Sequence, residues 1–277
     1  MNKSANLLFF ILLMGVFFST FEIKSVDVTI MPDKGGDAYV LERITFLVQG
    51  EESQATYLKG LSDNTLSFWS SSTKLSDIRV HLNSKEVNIV DFRIIPQPLK
   101  NCNQATNTCL GEIKLDYTAK PYYNSKSEPI ENTGLFYIEK YKPRTIKYSI
   151  NPNALLFDSS DVEHIIRIND YTSLVIKTPT ASKVLEANPI PTNLPNPSFP
   201  NYENTYIWKN TLLVKFSFIY EVEQSIDEEI VEFFSGLYSG FGFLSLSTEA
   251  ISIIIVVIIL IIFYIALNSL DKEKKQR

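Results

Sequence analysis

The residues of this chain best placed to do chemistry together are its two cysteines. Cys102 and Cys109 belong to the segment NCNQATNTC, in which polar, turn-forming residues separate them. Outside the reducing cytosol, two cysteines this close predict a short disulfide loop. A zinc site is the alternative, but His81 and His164 lie far along the chain and give no spacing typical of zinc ligands. We therefore expect a disulfide that stiffens a hairpin tip, and no metal site.

Catalytic motifs are missing from the sequence. It contains no Gly-x-Ser-x-Gly elbow, no His-Glu-x-x-His pair and no phosphate-binding loop. The carboxylate pair Glu51-Glu52 is expected in a polar loop, and the pair Glu228-Glu229 on the solvated face of a helix. We expect neither an enzyme nor a cofactor; an ectoenzyme built from distant residues is the least favoured alternative.

The charge balance argues against a nucleic-acid partner. The 277 residues include 26 Lys and Arg against 31 Asp and Glu, which gives a net charge of -5. Basic residues are mixed with acidic ones along the chain, whereas nucleic-acid-binding domains carry clustered basic residues.

An apolar run near the C-terminus predicts a transmembrane helix. Residues 251–267 read ISIIIVVIILIIFYIAL, and with Ala250 they approach the ~20 residues needed to cross a bilayer. Residues 268–277 follow with four basic side chains, and Lys and Arg are enriched on the cytoplasmic side of membrane helices. We expect a single-pass cell-membrane protein with a cytoplasmic tail and an extracellular remainder.

The N-terminal residues 1–21 are consistent with export. Lys3 precedes the apolar stretch LLFFILLMGVFF at residues 7–18, which has the length of a signal-peptide core. The segment is either cleaved or retained as a second anchor. Both alternatives leave the middle of the chain outside the cell.

Alternation of apolar and polar residues predicts β-strands through most of the middle. Val26 to Ile30 and Val40 to Val48 alternate around the turn-rich residues 32–37, which predicts a β-hairpin. Further strands are expected at 78–82, 87–95 and 113–119. These elements predict a first β-sandwich domain over residues 22–120.

A second strand series follows the polar, proline-containing residues 121–133, which are interpreted as a linker. Strand length and turn spacing in residues 134–224 predict a second β-sandwich domain of immunoglobulin-like size. The proline-rich residues 188–200 are expected to form a crossover loop covered by Trp208 and Tyr202; the alternative is a partner-docking loop. The strands of this series are expected at 135–141, 145–150, 165–168, 173–177, 183–187, 206–208 and 212–223.

An amphipathic juxtamembrane helix is predicted within residues 225–249. Ser225 and Glu228 have the spacing of a capping box, and apolar residues recur behind them at helical spacing. This face either contacts lipid or a partner, or packs on the second β-domain. Its residues are Ile226, Ile230, Phe233, Phe234, Leu237, Tyr238, Phe241 and Phe243.

The start of the predicted ectodomain resembles a known group of proteins. Residues 23–30 (IKSVDVTI), Asp33 with Gly35-Gly36, and residues 40–46 (VLERITF) are similar to the opening of uncharacterised predicted membrane proteins of archaea and bacteria. Those proteins continue from a signal peptide into a strand, an Asp-Gly turn and a strand of Val-x-Glu-x-Ile-Thr-Tyr type. The resemblance implies a surface location and β structure, and no activity.

The sequence therefore predicts a single-pass surface protein whose β-rich ectodomain binds a protein or an envelope component, for adhesion, sensing or assembly. Its expected partners are the lipid bilayer and another membrane or surface protein. An accessory subunit of a membrane complex is the alternative.

Overall fold

The computed structural model of the chain describes residues 20–142, 144–160, 165–194, 204–225 and 227. Within these ranges no helix has the length and apolar character that crossing a membrane requires. The predicted transmembrane helix, the cytoplasmic tail and residues 1–19 of the signal segment lie outside the described residues.

Strands dominate the described residues, so the protein is mainly β, as predicted. The first strand begins at Thr20, two residues before the expected start of the first domain. The strands are β1 (Thr20–Pro32), β2 (Ala38–Gln49), β3 (Asn88–Pro96), β4 (Lys100–Asn103), β5 (Thr108–Lys120), β6 (Phe136–Lys142), β7 (Thr145–Ile150), β8 (Asp158–Ser160), β9 (Ile165–Lys177), β10 (Ser182–Asn188), β11 (Thr205–Leu213) and β12 (Ser217–Glu223).

The predicted hairpin is confirmed by β1 and β2, which pair antiparallel from Thr20↔Gln49 to Pro32↔Ala38. Gly36 adopts a φ of 86° in the connecting turn, a conformation that glycine reaches at little steric cost. Alternate residues of both strands, from Val26 to Ile30 and from Val40 to Val48, are completely buried. One face of the hairpin therefore belongs to the core.

The larger sheet joins strands from both sides of the predicted linker. Its order is β11-β9-β1-β2-β5-β3, with β4 paired to β5 and β8 paired to β9. Strand β9 runs parallel to β1, from Val26↔Thr172 to Ile30↔Ile176. The division into domains at 22–120 and 134–224 is therefore wrong, because β9 and β11 extend the sheet that begins with β1. The described residues up to Glu223 form one compact unit.

The smaller sheet has the order β10-β12-β7-β6 and packs on part of the larger sheet. Phe218 of β12 lies 5.1 Å from the Tyr206 ring and 5.5 Å from the Trp208 ring of β11, measured between centroids. The Tyr148 hydroxyl donates to the carbonyl of Lys34 in the β1–β2 turn. A continuous apolar core lies between the two sheets.

Two helices that the strand pattern did not predict cover the other part of the same face. They are α1 (Glu51–Gly60) and α2 (Leu66–Thr73). Glu51 and Glu52 lie in the first turn of α1, where the positive end of the helix dipole stabilises acidic side chains. The prediction that they lie in a polar loop is therefore wrong. The ring of Tyr57 packs between Phe46 and Trp69, with centroids 5.7 and 5.2 Å away.

The strand expected at 78–82 is also absent, and a buried carboxylate explains how this segment is held instead. Glu42 points into the core from β2 and is fully buried. Its side chain accepts from the backbone N–H of His81 at 2.8 Å, pairs with His81 Nδ1 at 2.7 Å and accepts from the Tyr117 hydroxyl. The segment therefore crosses the inner face of the sheet.

Candidate binding surface on the larger sheet

The outward face of the larger sheet, which we call the open face, is the candidate functional site. The two helices and the smaller sheet all contact the inward residues of this sheet. On the outward side, Tyr39, Arg43 and Lys209 are exposed. Paired residues on neighbouring strands project to the same side, so the strand register fixes which side chains share this face.

Positive charge predominates in the central rows of the open face. Residues that pair across the strands form rows on this face. Two of these rows, together with the adjoining residues on the side of the β1–β2 turn, contain five cations and two carboxylates. The whole chain, in contrast, has a net charge of -5. The cations are Arg43, Arg93, Lys114, Lys177 and Lys209, and the carboxylates are Asp27 and Asp116. Toward β4, the single carboxylate of Glu112 lies within 4.0 Å of three cations, Arg43, Lys100 and Lys114.

The two carboxylates are occupied by neighbouring side chains. Asp27 accepts from the hydroxyls of Ser173 at 2.6 Å and Ser25 at 3.4 Å. Asp116 is 7% exposed and accepts from Arg93 Nη2 at 2.8 Å. Both carboxylates of the central rows are thus partnered, whereas Lys177 and Lys209 are exposed; Asp91, at the end of the face, is an exposed carboxylate.

A cleft of about 550 Å³ opens at one end of the face, where β3 bulges. Val90 pairs with Thr118 and Arg93 with Asp116, so Asp91 and Phe92 together oppose one residue of β5. Asp91 has a φ of 56°, which an aspartate tolerates better than most residues. Bulges redirect side chains, and here Phe92 lines the cleft and is 38% exposed, while its ring lies 6.0 Å from that of the inward-pointing Tyr117.

Tyr39, Asp116 and Arg93 form a hydrogen-bonded group in this cleft. Burial raises the pKa of Tyr39 above its ordinary value, and the hydrogen bond to Asp116 and the negative charge of that carboxylate raise it further. The hydroxyl therefore keeps its proton at neutral pH and donates to Asp116. Because Asp116 also holds Arg93, the guanidinium is oriented while its side chain stays 67% exposed. The group can present an arginine to an external acceptor.

The predicted disulfide is confirmed and joins β4 to β5 in the larger sheet. Cys102 and Cys109 are bonded, and their Cα atoms are 4.1 Å apart. The bond closes the loop between β4 and β5, as expected for a hairpin tip. Cys109 is buried at the start of the long β5 strand, whereas Cys102 is exposed.

The other predicted site residues belong to the predicted juxtamembrane helix. Ile226, Ile230, Phe233, Phe234, Leu237, Tyr238, Phe241 and Phe243 lie outside the described residues. The proline-rich segment is described only to Leu194, and there Trp208 Nε1 donates to the Pro189 carbonyl at 2.8 Å, which agrees with the predicted cover by Trp208.

Metal ligation finds no support in the described part of the chain, where no group of three or more His, Cys, Asp or Glu residues is placed to hold an ion. His81 is instead bound to Glu42, and His164 is not described.

The open face could not be predicted from the sequence, because its residues come from six strands. Alternation identified the outward residues of β2, among them Tyr39 and Arg43, but their neighbours on β5 and β3 depend on strand order and register. A bulge at Asp91 and Phe92 has no clear signature in the sequence.

Comparison with known proteins adds no relative. No protein-family model and no curated protein matches this chain.

Proposed function

We propose that this chain is a single-pass cell-surface protein whose β-rich ectodomain binds another protein through the open face. The observation that carries the proposal is the asymmetry of the larger sheet. One face forms the core, while the described part of the other face bears exposed cations and aromatic side chains.

The composition of this face supports protein binding over catalysis. Tyr39, Phe92 and Ile95 are each 38 to 39% exposed and lie around Arg93. Aromatic residues and arginine supply much of the binding energy of protein interfaces. The membrane anchor rests on the apolar run at 251–267 and the basic residues after it.

Site-specific photo-crosslinking in native membranes tests this function. A photoreactive amino acid is placed at Val175 or Ile95 on the open face of the full chain, and at Leu58 on α1 as a control. Leu58 is 55% exposed, so it is accessible but points away from the open face. We expect a protein adduct from the two open-face positions and none from Leu58. Adducts from Leu58 alone, or none at all, would refute the proposal.

A further inference from the structure

We propose that the open face recognises an acidic segment of its partner protein, and that Arg93 binds a partner carboxylate in the cleft beside Tyr39 and Phe92. This inference rests on the proposed function and specifies the chemistry of the partner.

The charge of the face selects for an acidic partner. Its central rows carry three more cations than carboxylates in a chain that is acidic as a whole. Asp27 and Asp116 are engaged by Ser173 and Arg93, whereas Lys177 and Lys209 are exposed. Arg43 is also exposed, although it lies 3.6 Å from Glu112. Complementary charge accelerates association and disfavours partners of the wrong sign.

Arg93 is the residue best prepared to bind a carboxylate. Its guanidinium uses Nη2 to bind Asp116, yet 67% of the side chain is exposed. A guanidinium has five N–H donors in a planar fork that matches the two oxygens of a carboxylate. Because Asp116 already orients the group, less conformational entropy is lost when a second acceptor binds.

The apolar residues around Arg93 favour a polypeptide over a phosphate polymer or a lipid headgroup. Phe92 and Tyr39 line the cleft, and Ile95 follows Arg93 on the same face of β3. Apolar residues also separate the cations in the middle of the face, where Ile207, Val175 and Leu41 occupy one row with Arg93. This alternation suits a peptide with mixed acidic and apolar side chains.

Charge reversal of Arg93 tests the inference in the full chain within native membranes. The photoreactive group stays at Val175, which leaves the cleft intact. Arg93→Glu should lower the yield of the protein adduct at least about tenfold, the loss expected for a binding hot spot. Lys59→Glu makes the same change in charge on α1 and should leave the yield unchanged. Arg93→Lys keeps the charge but loses the planar fork, so it should give a partial loss.

The adduct also reports the chemistry of the partner. Mass spectrometry of the linked peptide should find more Asp and Glu than Lys and Arg. Raising NaCl to about 0.5 M should lower the yield, because salt screens exposed charges.

Several results would overturn the inference and leave the proposed function intact. These are equal yields for Arg93→Glu and Lys59→Glu, or a linked peptide with no excess of carboxylates. A lipid or polyphosphate adduct from Val175 in place of a protein adduct would contradict both. If the unaltered chain gave no adduct at Val175 or Ile95, the proposed function would be refuted, and the inference that rests on it would be refuted with it. Melting temperatures of the variants check that each remains folded.

Discussion

Glu42 shows how a single polar residue fixes the packing of this core. It is fully buried, yet it has three polar contacts with His81 and Tyr117. Buried polar groups are stable only when their hydrogen bonds are satisfied. Glu42 therefore ties β2 to β5 and to the segment around His81, and the resemblance in residues 40–46 includes this glutamate.

Substitution of Glu42 should destabilise the fold. Glu42→Gln replaces a carboxylate acceptor by a neutral amide, which weakens the buried hydrogen bonds to His81 and Tyr117 and should cost roughly 1 to 3 kcal/mol. Urea unfolding of both proteins measures the difference. Glu139→Gln is the matched control, because the Glu139 side chain is 63% exposed and pairs with Lys147 at the surface. This substitution should cost less than about 1 kcal/mol. Equal costs would show that the buried contacts of Glu42 stabilise the fold no more than the exposed ion pair of Glu139 does.

The raised pKa of Tyr117 should make the protein less stable in alkaline solution. Burial raises its pKa well above the ordinary 10.0, and the charge of Glu42 and their hydrogen bond raise it further. The unfolded tyrosine loses its proton near pH 10 while the folded one retains it, so the free energy of unfolding should fall as pH rises past about 10. Tyr117→Phe should make this fall less steep, whereas Tyr123→Phe, at a residue 48% exposed, should not. Denaturant unfolding at pH 9 to 11 measures the slopes; identical slopes for all three proteins would contradict the assignment.

The contact between α1 and β5 leaves no room for a larger residue. A Cβ atom on Gly111 would lie 2.5 Å from Cε2 of Tyr57 and 3.0 Å from Cε2 of Phe46. The Tyr57 ring has little freedom to move, because its hydroxyl bonds to the carbonyls of Gln97 and Glu112. The Tyr57 side chain is therefore one of the contacts that fix the helix to the sheet.

Gly111→Ala should accordingly reduce stability by about 1 to 3 kcal/mol, the usual cost of overpacking a core. Gly35→Ala is the control, since a Cβ there would meet Asp33 at an ordinary 3.4 Å. Chemical unfolding compares the two variants with the unaltered protein. A neutral Gly111→Ala would mean that α1 can shift away from β5.

The disulfide stiffens one hairpin and should contribute only modestly to stability. Joint substitution Cys102→Ser and Cys109→Ser should cost at most about 3 kcal/mol, because the closed loop is short. Thermal unfolding of this variant gives the cost, and a thiol count on unreduced, denatured protein checks the bond. Two reactive thiols, or a covalent dimer lost on reduction, would contradict the intramolecular pairing.

Strands were predictable from the sequence, whereas helices and sheet membership were not. The alternation in β1 and β2 reflects burial of one face, and that physical cause acts locally. Helix α1 has few apolar residues to mark a buried face, and α2 consists largely of serine and threonine after Trp69. The pairing of β1 with β9 joins residues such as Val28 and Leu174, and no local pattern reports such a distant partner. The cleft at Arg93 depends on that same non-local register.

At the scale of the whole molecule, the larger sheet separates core packing from the recognition that we propose for its outward face. Its inward face supports the helices and the smaller sheet, which together form the core. Its outward face can then vary in charge without a cost in core packing. Strand β5 connects the two roles, because Tyr117 points to Glu42 while the adjacent Asp116 holds Arg93.

The membrane orientation that we propose decides whether the open face meets partners outside the cell. Positive charge after the apolar run at 251–267 predicts that the tail stays in the cytoplasm and the β-rich unit outside. Lys59 is exposed on α1 and reports the position of that unit. A membrane-impermeant amine reagent should label Lys59 in intact cells, whereas Lys272, Lys274 and Lys275 should react only after lysis. Peptide mass spectrometry identifies the labelled sites in both samples. Labelling of Lys59 only after lysis would place the open face inside the cell and contradict its role in binding at the surface.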